Sequence, residues 1–235
     1  MKQWLKRSIG RTIPIDTFEK LTEYSIGVRE FALTGSSLVR VDGSTWGELH
    51  QPGRIQVWRR LLDRIGMTDV LLLEFGVFRG VSMRMLAELF TSPGSRFYGF
   101  DSFEGLPENW RGAPPGHFGV GGQAPQIDDD RINFVKGWFR DTVPGVMDEL
   151  VEAREGRTPI LHFDADLYSS TLYLLFKMTE RFDNFFFVFD EFSGHEARAL
   201  YNFRQATGAD LEFFDHTEFN SWPMVVSGHL AMPGH

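Results

Sequence analysis

Hydrophobic and polar positions alternate between two patterns along the chain. Continuous apolar runs occur at Val70-Leu71-Leu72-Leu73, Phe97-Tyr98-Gly99-Phe100, Phe134-Val135, Pro159-Ile160-Leu161 and Phe185-Phe186-Phe187-Val188-Phe189. Such short runs suit strands buried on both faces. Helices are expected between them, at Pro52–Ile65 (stopped by Gly66), Met83–Phe90, Val146–Ala153, from Ser169 onward, and at Glu196–Gln205. Pro52 suits an early helical turn. Strand–helix alternation predicts an α/β domain with a mostly parallel, seven-stranded sheet and helices on both faces. The last two strands, Leu211–Phe214 and Trp222–Val226, are expected to be antiparallel at an edge. A helix over Asp16–Leu33 and a Gly/Ser/Asp loop from Gly35 to Gly47 precede this core. Residues 1–52 are therefore read as an N-terminal extension that covers a site or forms a homo-oligomer contact. Residues 53–235 are read as the domain.

Composition narrows the classes. With 235 residues the chain can bury one large core. A formal charge of −8 argues against a broad nucleic-acid surface. The absence of Cys excludes disulfides, thiolate chemistry and cysteine-held zinc. No apolar run approaches the ~18 residues of a membrane helix, and the basic start Met1–Arg7 lacks the apolar stretch of a signal peptide. The chain is read as cytoplasmic, with no membrane partner. The 23 Phe residues point to an aromatic core or pocket.

The first strand runs through Glu74 into Gly76-Val77-Phe78-Arg79-Gly80-Val81-Ser82 and a helix, and the next strand ends at Asp101-Ser102. A strand, glycine loop, helix, strand and acid in this order form the first half of a nucleotide-type binding fold. A dinucleotide site would place Gly where Phe78 stands, so close approach of a pyrophosphate is blocked, and Glu74 would repel it. A cationic ligand without phosphates, such as S-adenosylmethionine, suits the acid. Glu74 and the loop amides are then expected to hold its amino-acid end, and Asp101 to accept from its ribose hydroxyls.

Two further strands end in acids: His162-Phe163-Asp164-Ala165-Asp166 and Phe189-Asp190-Glu191. Neighbouring strand ends lie about 4.8 Å apart, and carboxylates that close repel unless a cation holds them or some are protonated. Asp164, Asp190 and Glu191 can supply three oxygen ligands to an ion of the Mg²⁺ class, with Asp166 as a fourth ligand or a general base. Helix capping is the bland alternative for any one of these acids. His162 is read as a core or supporting histidine. A Gly/Pro-rich stretch from Leu106 to Asp130 is read as a lid over the strand ends.

At these residues the chain resembles the macrocin O-methyltransferase (TylF-type) family. The matching pieces are Glu74 to Ser82, Phe100 to Pro107, Gly137-Trp138-Phe139-Arg140-Asp141-Thr142-Val143-Pro144, Asp164 to Thr171, and Asp190-Glu191-Phe192. The resemblance implies a Rossmann-like class I methyltransferase fold using S-adenosylmethionine and a divalent cation. The acceptor would be a hydroxyl of a sugar or polyhydroxylated natural product. It implies Asp164, Asp190 and Glu191 as metal ligands, Asp166 as base, and a donor site from Glu74, Gly76, Phe78, Arg79, Gly80, Ser82, Asp101, Ser102, Phe139 and Asp164. Two departures stand out: Glu191-Phe192 replaces the family's Asp-Tyr, and Phe182-Asp183-Asn184 replaces its Gly-Gly turn. A metal-dependent glycosyltransferase using Asp164-Ala165-Asp166 and a non-catalytic donor-binding relative are the competing readings.

Overall fold

The computed structural model describes residues 34–43, 45–192, 194–220 and 222–234. The helix expected at Asp16–Leu33 lies outside them. Element order is β1 (Ser37–Leu38), α1 (Trp46–Ile65), β2 (Val70–Phe75), α2 (Val81–Leu89), β3 (Arg96–Asp101), β4 (Ile132–Lys136), α3 (Phe139–Ala153), β5 (Thr158–Phe163), α4 (Tyr168–Thr179), β6 (Asn184–Phe189), α5 (His195–Thr207), β7 (Asp210–Phe219) and β8 (Trp222–Ala231).

The strands form one sheet in the order β1-β7-β8-β6-β5-β2-β3-β4. All neighbours are parallel except β8, which runs antiparallel to both β6 and β7. The β7/β8 pair stands on the edge side, as expected, but the count is eight rather than seven. Ser37 and Leu38 pair with Asp215 and His216 of β7, too short a strand to leave an apolar signature. Two residues of the 1–52 segment are thus built into the sheet.

The first helix also starts earlier than Pro52. Thr45 and Glu48 form a capping box: Glu48 N donates to Thr45 Oγ1 at 3.4 Å, and Thr45 N donates to Glu48 Oε2 at 2.8 Å. That satisfies two donors at the helix start and allows another turn and a half before Pro52. The extra length adds His50 to the same face as Arg54, four residues on.

One face of the sheet carries a row of phenylalanines. Phe100, Phe75, Phe163 and Phe189 sit in register on β3, β2, β5 and β6. Their ring centroids are 5.1, 5.7 and 4.6 Å apart in sequence across the sheet, each pair stacked. All four are fully buried. The residue following each is Asp101, Gly76, Asp164 or Asp190. A dry aromatic row thus ends where four functional positions begin, at the carboxyl ends of the strands around the point where the chain order reverses.

Candidate active site

A cavity of about 780 Å³ opens above this row. One side is formed by Gly76, Phe78, Asp101, Ser102, Trp138 and Phe139, the other by Asp164, Asp166, Asp190, Glu191, His50 and Arg54. Glu74, Arg79, Gly80 and Ser82 are absent from its lining.

On the first side the glycine is required by space. Gly76 has φ +102°, and a Cβ there would lie 1.9 Å from the carbonyl oxygen of Asp164. The loop that follows is tied to β3 by Asp101. Its Oδ2 accepts from Val77 N (2.9 Å) and Phe78 N (2.8 Å), and its Oδ1 from Phe103 N (2.7 Å). A carboxylate has about four acceptor positions, so three backbone donors leave about one for a ribose hydroxyl. Glu74 points elsewhere. It is fully buried, with Oε1 3.1 Å from His162 Nδ1, on the sheet face packed with Leu72, Ile160 and Trp58, and it does not line the cavity.

The second side holds more carboxylates than cations. Arg54, from α1, donates Nη2 to Asp190 Oδ2 and lies 4.0 Å from Asp164 Oδ2. His50 Nε2 lies 2.6 Å from that guanidinium nitrogen and 3.2 Å from Asp190 Oδ2. Burial opposes the Asp190 charge, but Arg54 and His50 hold the carboxyl well below its usual range. Asp164 goes the other way: withdrawal from solvent, then the Asp190 charge, push it well above the usual range despite Arg54. Asp166 is pushed up to about 7 by burial and by Glu191 and Asp190. Its φ of +60° is the left-handed region that a residue with a Cβ rarely adopts, a strain typical of functional loops. It caps nothing: the N-cap position of α4 is Leu167, without a side-chain bond. Glu191 is raised by burial, against Arg111, whose Nη2 reaches its Oε2 at 3.1 Å from the 102–131 loop.

Glu196, in the first turn of α5, ties the two acidic loops together. Its Oε1 accepts from Ala165 N at 3.2 Å and its Oε2 from Glu191 N at 3.3 Å. It is 1% exposed, and burial with the charges of Asp166, Asp190 and Glu191 pushes it well above the usual range. Sequence reasoning missed it, together with Arg54, His50 and Arg111. The only signal for Arg54 and His50 was their spacing of four on a helix; for Glu196, its place one turn past Asp190-Glu191.

The two carboxylate strand ends meet as expected, but the grouping differs. Among the described residues, the group whose ligand atoms all lie within 4.8 Å of one another is His162, Asp164 and Asp190, without Glu191. Two atoms there are buried with no hydrogen-bond partner: Asp190 Oδ1 and His162 Nε2. A buried polar atom left unpaired costs about 1–3 kcal/mol, so two in one group indicate that a ligand belongs between them. The donor set, two carboxylates and an imidazole, fits a divalent cation. Leu106, Pro107, Glu108 and Phe118 of the long loop line the cavity. Glu108 accepts from Ser169 Oγ of α4, and Trp110, His117 and Phe118 pack together, with Phe118 meeting Phe78 at 5.7 Å. His195 opens α5. No helix of the described residues is long and apolar enough to cross a membrane.

Comparison with known proteins agrees with this geometry. Residues 123–218 match the model of the macrocin-O-methyltransferase (TylF) family. A curated relative from Streptomyces olivaceus, 8-demethyl-8-(2,3-dimethoxy-alpha-L-rhamnosyl)-tetracenomycin-C 4'-O-methyltransferase, is 28% identical over 171 aligned positions. These cover 58% of this chain and 59% of the relative, so the match spans well under two thirds of that protein. The solved structure of the O-methyltransferase NovP superposes with a TM-score of 0.53 at 18% identity, covering 77% of this chain and 80% of that one. CmcI superposes at 0.48 with 16% identity, covering 82% and 77%. The chain therefore has the class I methyltransferase fold and is similar, across the acidic half of its site, to the macrocin-O-methyltransferase (TylF) family.

Proposed function

We propose that the protein is an S-adenosylmethionine-dependent O-methyltransferase acting on a hydroxyl of a sugar-containing or polyhydroxylated natural product, with a divalent cation in the acidic half of the site. The observation that carries this reading is the single cavity in which Gly76 and Asp101 face Asp164, Asp166 and Asp190. The relatives named above, a 4'-O-methyltransferase of a rhamnosyl-tetracenomycin and the O-methyltransferase NovP, support the same class.

The donor lies on the Gly76 side. The glycine lets its amino-acid end approach the backbone, Asp101 fixes the loop amides, and Trp138 and Phe139 offer flat surfaces to the adenine. The acceptor oxygen attacks the sulfonium methyl in line. The O–CH₃ bond forms as the S–CH₃ bond breaks, S-adenosylhomocysteine leaves, and the hydroxyl proton passes to the Asp166 carboxylate. Asp164 and Asp190 would hold the cation, which when bound would lower the pKa of the acceptor hydroxyl. Glu196 positions both loops through Ala165 N and Glu191 N, so that donor and acceptor meet in reacting geometry.

The test is calorimetric titration of the full chain with S-adenosylmethionine, followed by labelled-methyl transfer to a panel of glycosylated acceptors. Binding and transfer are expected, with transfer lost and binding kept after chelation. Binding of a nucleotide sugar without S-adenosylmethionine would replace this reading by glycosyl transfer. Donor binding without transfer to any acceptor would favour a non-catalytic role.

A further inference from the structure

We propose that His162 is the nitrogen ligand of the cation held by Asp164 and Asp190, that Glu74 orients its ring, and that the site therefore prefers a first-row transition metal over Mg²⁺. The inference deepens the reading above and rests on it only for what the ion does.

The argument begins with hydrogen-bond accounting around one imidazole. His162 Nδ1 is 3.1 Å from Glu74 Oε1, in a pair fully shut off from solvent. In the tautomer that carries its proton on Nδ1, the ring donates to Glu74 Oε1. The lone pair of Nε2 is then left with no partner, as is Asp190 Oδ1, and both atoms are buried. His162, Asp164 and Asp190 each offer a ligand atom within 4.8 Å of the others. Neighbouring groups have already taken the competing atoms. Arg54 and His50 engage Asp190 through Oδ2, which leaves Oδ1. Trp58 meets the imidazole edge-on, with centroids 5.2 Å apart, and fixes its plane.

A carboxylate behind a histidine whose far nitrogen is free is the arrangement that sets tautomer and basicity in metal sites. Glu74 thus gains a role in place of the donor contact expected from its position before Gly76. It is fully buried, does not line the cavity, and its contact with His162 Nδ1 is what this role requires. An imidazole with two carboxylates favours borderline ions; an all-oxygen shell would favour Mg²⁺.

The experiment loads the full chain with Mn²⁺ and reads pulsed electron paramagnetic resonance for a directly bonded ¹⁴N. A nitrogen coupling is expected, lost in His162→Gln, and metal affinities should rank Co²⁺ above Mn²⁺ above Mg²⁺. Glu74→Gln should weaken Mn²⁺ binding by about 10–100-fold while S-adenosylmethionine affinity stays unchanged. Mn²⁺ bound without a nitrogen coupling overturns the proposal and leaves the methyltransferase reading intact. So does a Glu74→Gln variant that loses donor affinity and keeps the metal. The coupling present in a protein that neither binds S-adenosylmethionine nor transfers methyl would sink the functional reading and leave the nitrogen-ligated site standing. The unmutated protein supplies the nitrogen readout, so the outcome does not depend on His162→Gln folding.

Discussion

The two halves of the cavity use carboxylates in opposite ways. At the end of β3, Asp101 is satisfied by three backbone donors, all between 2.7 and 2.9 Å. Across the Gly76 turn, at the ends of β5 and β6, Asp164, Asp166, Glu191 and Glu196 are all pushed above the usual carboxylate range. Asp190 is held below that range with Arg54 and His50 beside it, and still has a buried oxygen unpaired. Both halves stand on the same phenylalanine row, so packing does not account for the difference. A carboxylate whose acceptors are filled by its own backbone is finished by folding. A cluster that remains short of positive charge after folding is finished by a ligand, a proton or a reaction. The first half is a preformed cradle and the second a reactive centre.

That contrast can be broken by removing one carboxylate at a time on each side. The largest effect is expected for Asp166→Asn. Its side chain makes no bond that holds the fold, so thermal stability and donor affinity should be unchanged. Methyl transfer should fall by about 10²–10⁴-fold, the usual worth of a general base. Single-turnover kinetics with labelled donor checks this. A loss under tenfold removes Asp166 from the proton-transfer role. Next comes Asp101→Ala, which orphans three amides at once. Those of Val77 and Phe103 are part-buried, and an unpaired donor costs about 1–3 kcal/mol where water cannot reach it, so the melting temperature should fall and donor affinity should weaken by about tenfold. A variant that keeps donor affinity would show that the Gly76 loop is shaped without Asp101. Glu196→Ala comes third. It frees Ala165 N and Glu191 N, and should lower kcat more than it raises KM for the donor, because it loosens only the reactive half.

How much of this was legible in the sequence follows from the same physics. Buried parallel strands leave continuous apolar runs, and β2, β3, β5 and β6 were visible within a residue or two. The acids at their ends were visible for the same reason, since a polar residue closing an apolar run stands out. Pairings made across the fold were not. Glu74 sits beside the glycine loop in sequence, and nothing local shows that its partner is His162, 88 positions on. Arg54 meets Asp190 across 136 positions, and Arg111 meets Glu191 from a loop without regular structure. A two-residue strand such as Ser37–Leu38 is too short for any period to show. The capping box at Thr45 and Glu48 was readable, but Pro52 drew the helix start toward itself.

The smallest effect expected lies at the root of the long loop, on the preformed side. Arg131 donates to the carbonyls of Ala87 (2.8 Å) and Phe90 (2.5 Å) at the end of α2, and Asp129 pairs with the same guanidinium at 2.6 Å. Asp129 is lowered by that hydrogen bond, against a small opposing effect of burial. A carboxyl whose folded pKa lies below its unfolded value stabilises the fold above the unfolded value, about 3.9. The contribution is lost as pH falls through the folded pKa. The Asp129 side chain is partly exposed, so screening limits the gain to about 0.2–1 kcal/mol. Asp129→Asn should therefore lower the urea midpoint slightly at pH 7. The two proteins should converge as pH drops below about 4, with methyl transfer unchanged throughout. A gap that persists undiminished into acid would mean that Asp129 acts through packing, not charge. A loss of methyl transfer at pH 7 would extend the reactive centre to the root of the loop.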